Sequence, residues 1–158
     1  MKLDTRYITT AAIIGALYAS LTIVFAPISF GIVPFQMRIA EALTILPYFF
    51  PQAIPGLYLG CMTANIFGGL GPFDIFGGSF FTLIAALLTY WLRRFKRPWL
   101  APLPPVVINA FGVSLYLAPQ LHVPYWVSVG TIAVGQFAAC YVLGLVLLYA
   151  IKNRFKDL

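Results

Sequence analysis

Residues 75–100 read IFGGSFFTLIAALLTYWLRRFKRPWL. From Ile75 to Leu92 the run carries no charge, and then Arg93, Arg94, Lys96 and Arg97 crowd together. A membrane-crossing helix needs roughly 17–25 apolar residues. Short cytoplasmic connections collect Lys and Arg. The stretch therefore reads as a helix that crosses a bilayer and emerges on the inside. Trp91 and Trp99 flank the cationic cluster, at the level where interfacial aromatic rings belong.

The rest of the chain has the same character. Of its 158 residues, 61% are hydrophobic and only 9% charged, against about 25% charged in an ordinary soluble domain. So little polar surface points to an all-α membrane protein, read as a single domain over residues 1–158. The two cysteines, Cys61 and Cys140, lie in apolar runs and read as small buried hydrophobes. The apolar stretch 7–26 exceeds the usual ~7–15 residues of a signal-peptide core, so it reads as a retained first helix. The net charge of +6 does not line one face, which argues against a nucleic-acid surface.

Six spans are predicted, over 7–26, 35–50, 52–70, 75–92, 101–118 and 124–151. Spans 2 and 3 are the short pair, because Pro47, Pro51 and Pro55 crowd their junction and proline ends or kinks a helix. A re-entrant hairpin is the alternative there. Nine of the ten basic residues form three clusters: Lys2 and Arg6; Arg93, Arg94, Lys96 and Arg97; Lys152, Arg154 and Lys156. If all three are cytoplasmic, an even number of spans must separate them. Four and then two spans satisfy this, giving a multi-pass protein of the cell membrane with both termini cytoplasmic.

Catalytic chemistry is poorly provided for. No G-x-x-x-x-G-K-[ST] phosphate loop or H-E-x-x-H motif occurs, and one histidine, His122, cannot build a histidine-rich metal site. No cofactor or metal is expected, and no enzymatic activity. What stands out is a small set of polar residues at membrane depth, where ionisable groups are expensive and mark function by default. Arg38 and Glu41 share one face of span 2, Asp74 opens span 4 after a glycine-rich turn, and Asn65, Asn109 and Gln136 sit in spans 3, 5 and 6. The plain structural readings are an Arg38–Glu41 ion pair, a helix cap at Asp74 and interhelical hydrogen-bonding amides. All six fit the outer half of the bundle, however. Convergent polar groups in an aromatic-lined cavity are the usual form of a small-ligand site. The candidate aromatic walls are Phe30, Phe35, Tyr116, Tyr125 and Trp126.

Span 1 carries two rows of small residues, Ala11, Gly15 and Ala19, and Ala12, Ala16 and Ser20. Such rows let helices approach closely, either within the bundle or against another membrane subunit.

Several blocks carry a family resemblance: PISFG (27–31), RIAEALTILPYFFPQAIPGLYLGCMTANIFGG (38–69), DIFGGSFFTLIAALLTY (74–90), LAPLPPVVINA (100–110) and VGQFAACYVLG (134–144). The chain resembles the QueT family of queuosine-precursor transporters, S-components of energy-coupling factor (ECF) importers. The resemblance implies a six-helix S-component bundle that captures a 7-deazaguanine base near the external side, under the loop joining helices 1 and 2; the candidate ligand residues read from the chain itself are Arg38, Glu41, Asn65, Asp74, Asn109, Gln136, Tyr116 and Trp126. The family pattern often carries an acidic residue where this chain has Gln136. The resemblance also implies partners: a membrane scaffold subunit and two cytosolic ATPases, with Ala12 and Ala16 on the docking face of helix 1. Two other classes stand beside it, a self-sufficient ion-coupled carrier or channel and a non-transporting membrane assembly subunit.

Overall fold

The computed structural model describes residues 4–30, 37–69 and 71–154. Phe35, Lys2 and Lys156 lie outside them. Every regular element among the described residues is helical. α1 (Thr5–Val24) turns at Phe25 into the short α2 (Ala26–Phe30). A 3-10 helix (Ile39–Tyr48) precedes α3 (Ala53–Phe67). A π-helical turn (Phe73–Gly78) runs straight into α4 (Ser79–Leu92). α5 (Leu103–Leu121) is followed by α6 (Tyr125–Phe137), a second π-helical segment (Ala138–Gly144) and α7 (Leu145–Arg154).

Four continuous helical stretches are long and apolar enough to cross a membrane: Thr5–Val24, Phe73–Phe95, Pro98–Leu121 and Tyr125–Arg154. They answer to spans 1, 4, 5 and 6 of the sequence reading. The segments expected as spans 2 and 3 are shorter apolar helices of 10 and 15 residues, below the usual spanning length. The outward surface of the bundle is lipid-like: Val24, Phe67, Trp126 and Val146 are each at least 70% exposed, as suits a hydrocarbon solvent.

The Ile39–Tyr48 helix is unusual because 3-10 runs longer than three or four residues are uncommon. Eight of its ten residues are buried. At about 2.0 Å per residue it reaches ~20 Å, where an α-helix of the same length would reach ~15 Å. Pro47 lies inside it and cannot donate to the helix ladder. The period of three also stacks positions i and i+3 in one line. Glu41 and Thr44 thereby share a stripe, and the Thr44 hydroxyl donates to the Glu41 carbonyl at 2.6 Å.

α1 and α3 make the closest helix pair, and glycines on both sides explain it. A Cβ on Gly60 would stand 2.6 Å from the Gly15 carbonyl oxygen, and one on Gly56 2.5 Å from that of Ala11. The row Ala11, Gly15 and Ala19 is thus matched by a G-x-x-x-G row on α3. Gly60→Ala forces backbone against backbone and should destabilise the protein by about 1–3 kcal/mol, the usual range for overpacking. A lowered Tm in detergent, with ligand absent, checks it. An unchanged Tm would mean that the helices separate at no cost.

Two apolar cores result. One joins α1, the 3-10 helix, α3 and α7 around Tyr18, Ile45, Leu57 and Leu148. The other joins α5 and α6 around Leu117, Val129 and Ile132.

Candidate ligand site

The polar residues meet where elements of both cores converge. Glu41 is 1% exposed, and a carboxylate so buried needs partners. The Tyr18 hydroxyl donates to its Oε1 at 2.6 Å, and Asn109 Nδ2 donates to its Oε2 at 3.2 Å. These bonds tie α1, the 3-10 helix and α5 together at one point. A carboxylate accepts only, so the Asn109 amide must present its nitrogen here. That turns Asn109 Oδ1 the other way, and this buried oxygen has no hydrogen-bond partner.

The side chains of Arg38 and Glu41 do not form the ion pair that their spacing offered, although the Glu41 N–H donates to the Arg38 carbonyl at 2.9 Å. Arg38 caps the 3-10 helix with an extended backbone, which releases its side chain from the Glu41 stripe. Its guanidinium lies 5.3 Å from the centre of the Phe30 ring, and Nη1 approaches Cys61 Sγ at 3.8 Å.

A second knot surrounds Asp74. Its Oδ1 accepts from the Tyr116 hydroxyl at 3.0 Å, and its backbone carbonyl accepts from Asn65 Nδ2 at 2.7 Å. Asp74 does not act as a helix cap, because it lies inside the π-helical turn that Pro72 precedes. Asn65 is fully buried, with Oδ1 lacking a partner. Cys61 links the two knots, since Arg38, Asn65 and Thr82 all direct donors at its sulfur, at 3.6–3.8 Å.

Gln136 accepts a weak bond from Cys140 Sγ at 3.4 Å. It lines a small cavity together with Arg38, Glu41, Thr82, Asn109 and Ile132. The cavity measures about 20 Å³, close to the least that holds one water molecule. Its carboxylate, guanidinium and two amides can read a planar heterocycle with both donors and an acceptor. Such a molecule must first part the walls.

Seven of the eight residues named from the sequence line this cavity or form the adjoining Asp74 knot: Arg38, Glu41, Asn109 and Gln136 in the one, Asn65, Asp74 and Tyr116 in the other. Trp126 does not: it is 72% exposed and packs edge-on against Phe111 and Tyr125. Its position near the start of α6 turns it outward. Phe30 shields Arg38, while the Tyr125 hydroxyl bonds the Phe111 carbonyl away from the cavity. Tyr18, Thr82 and Cys61 escaped sequence reasoning. Tyr18 gave little signal, because α1 also carries Tyr7 and the hydroxyls of Thr9, Thr10, Ser20 and Thr22.

Ala12 and Ala16 are exposed, whereas Gly15 and Ala19 are buried against α3. The exposed pair lines an apolar groove of about 430 Å³ between α1 and α3, completed by Leu59, Gly60 and Thr63.

No solved structure matches the chain. One curated relative, the queuosine precursor transporter QueT of Lactococcus lactis subsp. cremoris (strain MG1363), is 29% identical over 153 residues, covering 89% of each chain. The QueT transporter family matches residues 8–153, nearly the whole apolar bundle and every residue of the polar cluster. A multi-pass helical architecture, a buried polar site and that match agree: this chain belongs to the QueT transporter family.

Proposed function

We propose that this chain is the substrate-capture subunit of an ECF-type importer and that its ligand is a queuosine precursor carrying a 7-deazaguanine base. The observation that carries the reading is the Tyr18–Glu41–Asn109 knot, a buried carboxylate held in place beside an amide oxygen that has no partner. A guanine-like edge offers adjacent N–H donors and a carbonyl. A carboxylate has about four acceptor positions, so Glu41 keeps two free for those donors. Arg38 donates to the carbonyl, Asn109 Oδ1 accepts a further N–H, and Asp74 faces an aminomethyl cation where the precursor has one. The name of the Lactococcus relative supports the ligand class.

In this reading the bundle crosses the membrane six times, with the 3-10 helix and α3 as short crossings of about 20 and 22 Å. Both termini are cytoplasmic. A membrane scaffold subunit docks on the groove at Ala12 and Ala16, and two cytosolic ATPases supply the energy. A chain without a phosphate loop would need such partners. A base is far larger than the cavity of about 20 Å³, so its entry requires the walls to part, and that conformational step slows association.

Thermal melts in detergent test the ligand. A binder at 100 times its Kd stabilises the native state by about 2.7 kcal/mol. 7-aminomethyl-7-deazaguanine, its 7-cyano analogue or queuine should raise the Tm in a saturable way, and an unrelated vitamin should not. A chain stabilised by riboflavin or thiamine, and by none of the deazapurines, would carry a different cargo.

A further inference from the structure

A second concavity lies well away from the polar cluster. It is an open basin of about 640 Å³ lined by Tyr48, Phe49, Arg93, Arg94, Lys96, Pro98 and Lys152. Four cations meet there, from the end of α4, the turn that follows it and the end of α7, and no acidic side chain among the described residues lines it. Its size falls in the ~300–1,000 Å³ range of small-molecule sites.

The two arginines are held in set orientations. The Arg93 guanidinium lies 3.9 Å from the centre of the Tyr90 ring and donates through Nη2 to the Tyr90 hydroxyl at 2.8 Å. The Arg94 guanidinium lies 3.4 Å from the centre of the Trp91 ring. An arginine stacked on an aromatic ring retains N–H donors at its edge, in the fork that suits phosphate. Lys96 has φ of +54°, a left-handed conformation at a helix end where glycine is the usual occupant. Retaining a lysine there, against backbone preference, places a third charge at the rim.

The rings around the basin identify its surroundings. Trp91, Phe95 and Trp99 are 47–51% exposed, and half-exposed aromatic rings of this kind sit at the headgroup level of a bilayer. We propose that the basin is a binding site for the phosphate of an anionic phospholipid. Basic pockets between helix ends on the cytoplasmic side suit such headgroups. Tyr48 and Phe49 close the wall beside the lipid's glycerol and upper chains. The site rests on the cytoplasmic orientation proposed above and does not depend on the ligand assigned to the Glu41 cavity.

The test is a melt of the purified chain in phosphatidylcholine, in phosphatidylcholine with 30% phosphatidylglycerol, and in detergent with inorganic phosphate. Phosphatidylglycerol should raise the Tm by about 2–6 °C over phosphatidylcholine. The rise should vanish in Arg93→Gln/Lys152→Gln and persist in Arg6→Gln, whose charge lies on α1. Should the double variant fold poorly, wild-type protein decides alone: native mass spectrometry should find phosphatidylglycerol retained at 0.1 M salt and lost at 0.5 M, because screening shortens the reach of the charges. Equal melts in the two lipids, a rise preserved in a folded double variant, or the same rise with inorganic phosphate alone would each overturn the lipid site.

Discussion

Glu41→Gln should weaken binding of a 7-deazaguanine ligand about 10- to 150-fold while leaving the fold nearly intact. Hydrogen bonds to a charged group contribute about 1.5–3 kcal/mol, and about 1.4 kcal/mol is a factor of ten in affinity. The substitution keeps the shape of the side chain. Its amide oxygen can still accept from Asn109 Nδ2, and its new NH2 can donate to the Tyr18 oxygen once that hydroxyl rotates. The ligand's donors would then face one acceptor oxygen in place of two, without the charge. Calorimetry on the purified variant checks the affinity, and a melt without ligand checks the fold. Unchanged affinity would remove Glu41 from the site. Tyr18→Phe offers a milder version of the same experiment, because it removes one anchor of the carboxylate and leaves its charge in place.

Ala16→Trp should abolish uptake and co-purification with scaffold and ATPase subunits, while ligand affinity stays near wild type. Lipid tails are as apolar as leucine, so membrane helices associate through close packing. A tryptophan on the open side of α1 would fill the groove and hold a partner helix away, forfeiting the dispersion contacts across the gap. Tyr18 is fully buried and does not line that groove, so the Tyr18–Glu41 bond is untouched. Ala12→Trp, one turn earlier, should behave alike. Full uptake by both variants in cells would place docking elsewhere. Uptake by the wild-type chain alone in vesicles would favour an ion-coupled carrier.

The long helices were legible because their signal is local. A charge-free run of about 20 residues ending on Arg93, Arg94, Lys96 and Arg97 needs no knowledge of its neighbours to be recognised as a span. The polar candidates were legible for a related reason: few residues can hide a carboxylate or an amide in an apolar helix, so each one drew attention. Trp126 was misjudged because the inward or outward aspect of an aromatic ring depends on its turn around the helix. An Arg38–Glu41 ion pair was the plain structural reading of their spacing. The side chains do not pair because Arg38 is the extended residue that caps the helix: its carbonyl accepts from the Glu41 N–H, while its guanidinium turns toward Phe30 and Cys61.

Composition, run length and charge placement by themselves determined that this protein is a helical membrane protein, and they singled out the few polar residues at membrane depth; of the six spans they predicted, four appear as helices long enough to cross a bilayer. These properties follow from the transfer of side chains and backbone into hydrocarbon, which each segment meets alone. The tertiary structure decided the rest. Two rows of small residues on α1 read alike in the sequence, yet it is Ala11 and Gly15 that meet the glycines of α3, while Ala12 and Ala16 stay exposed. It likewise drew residues 39–48 into a 3-10 helix and brought Tyr18 and Asn109, 23 and 68 positions away, onto the two oxygens of Glu41. A buried charge must find its partners wherever packing delivers them, and no local pattern records which distant side chains those are.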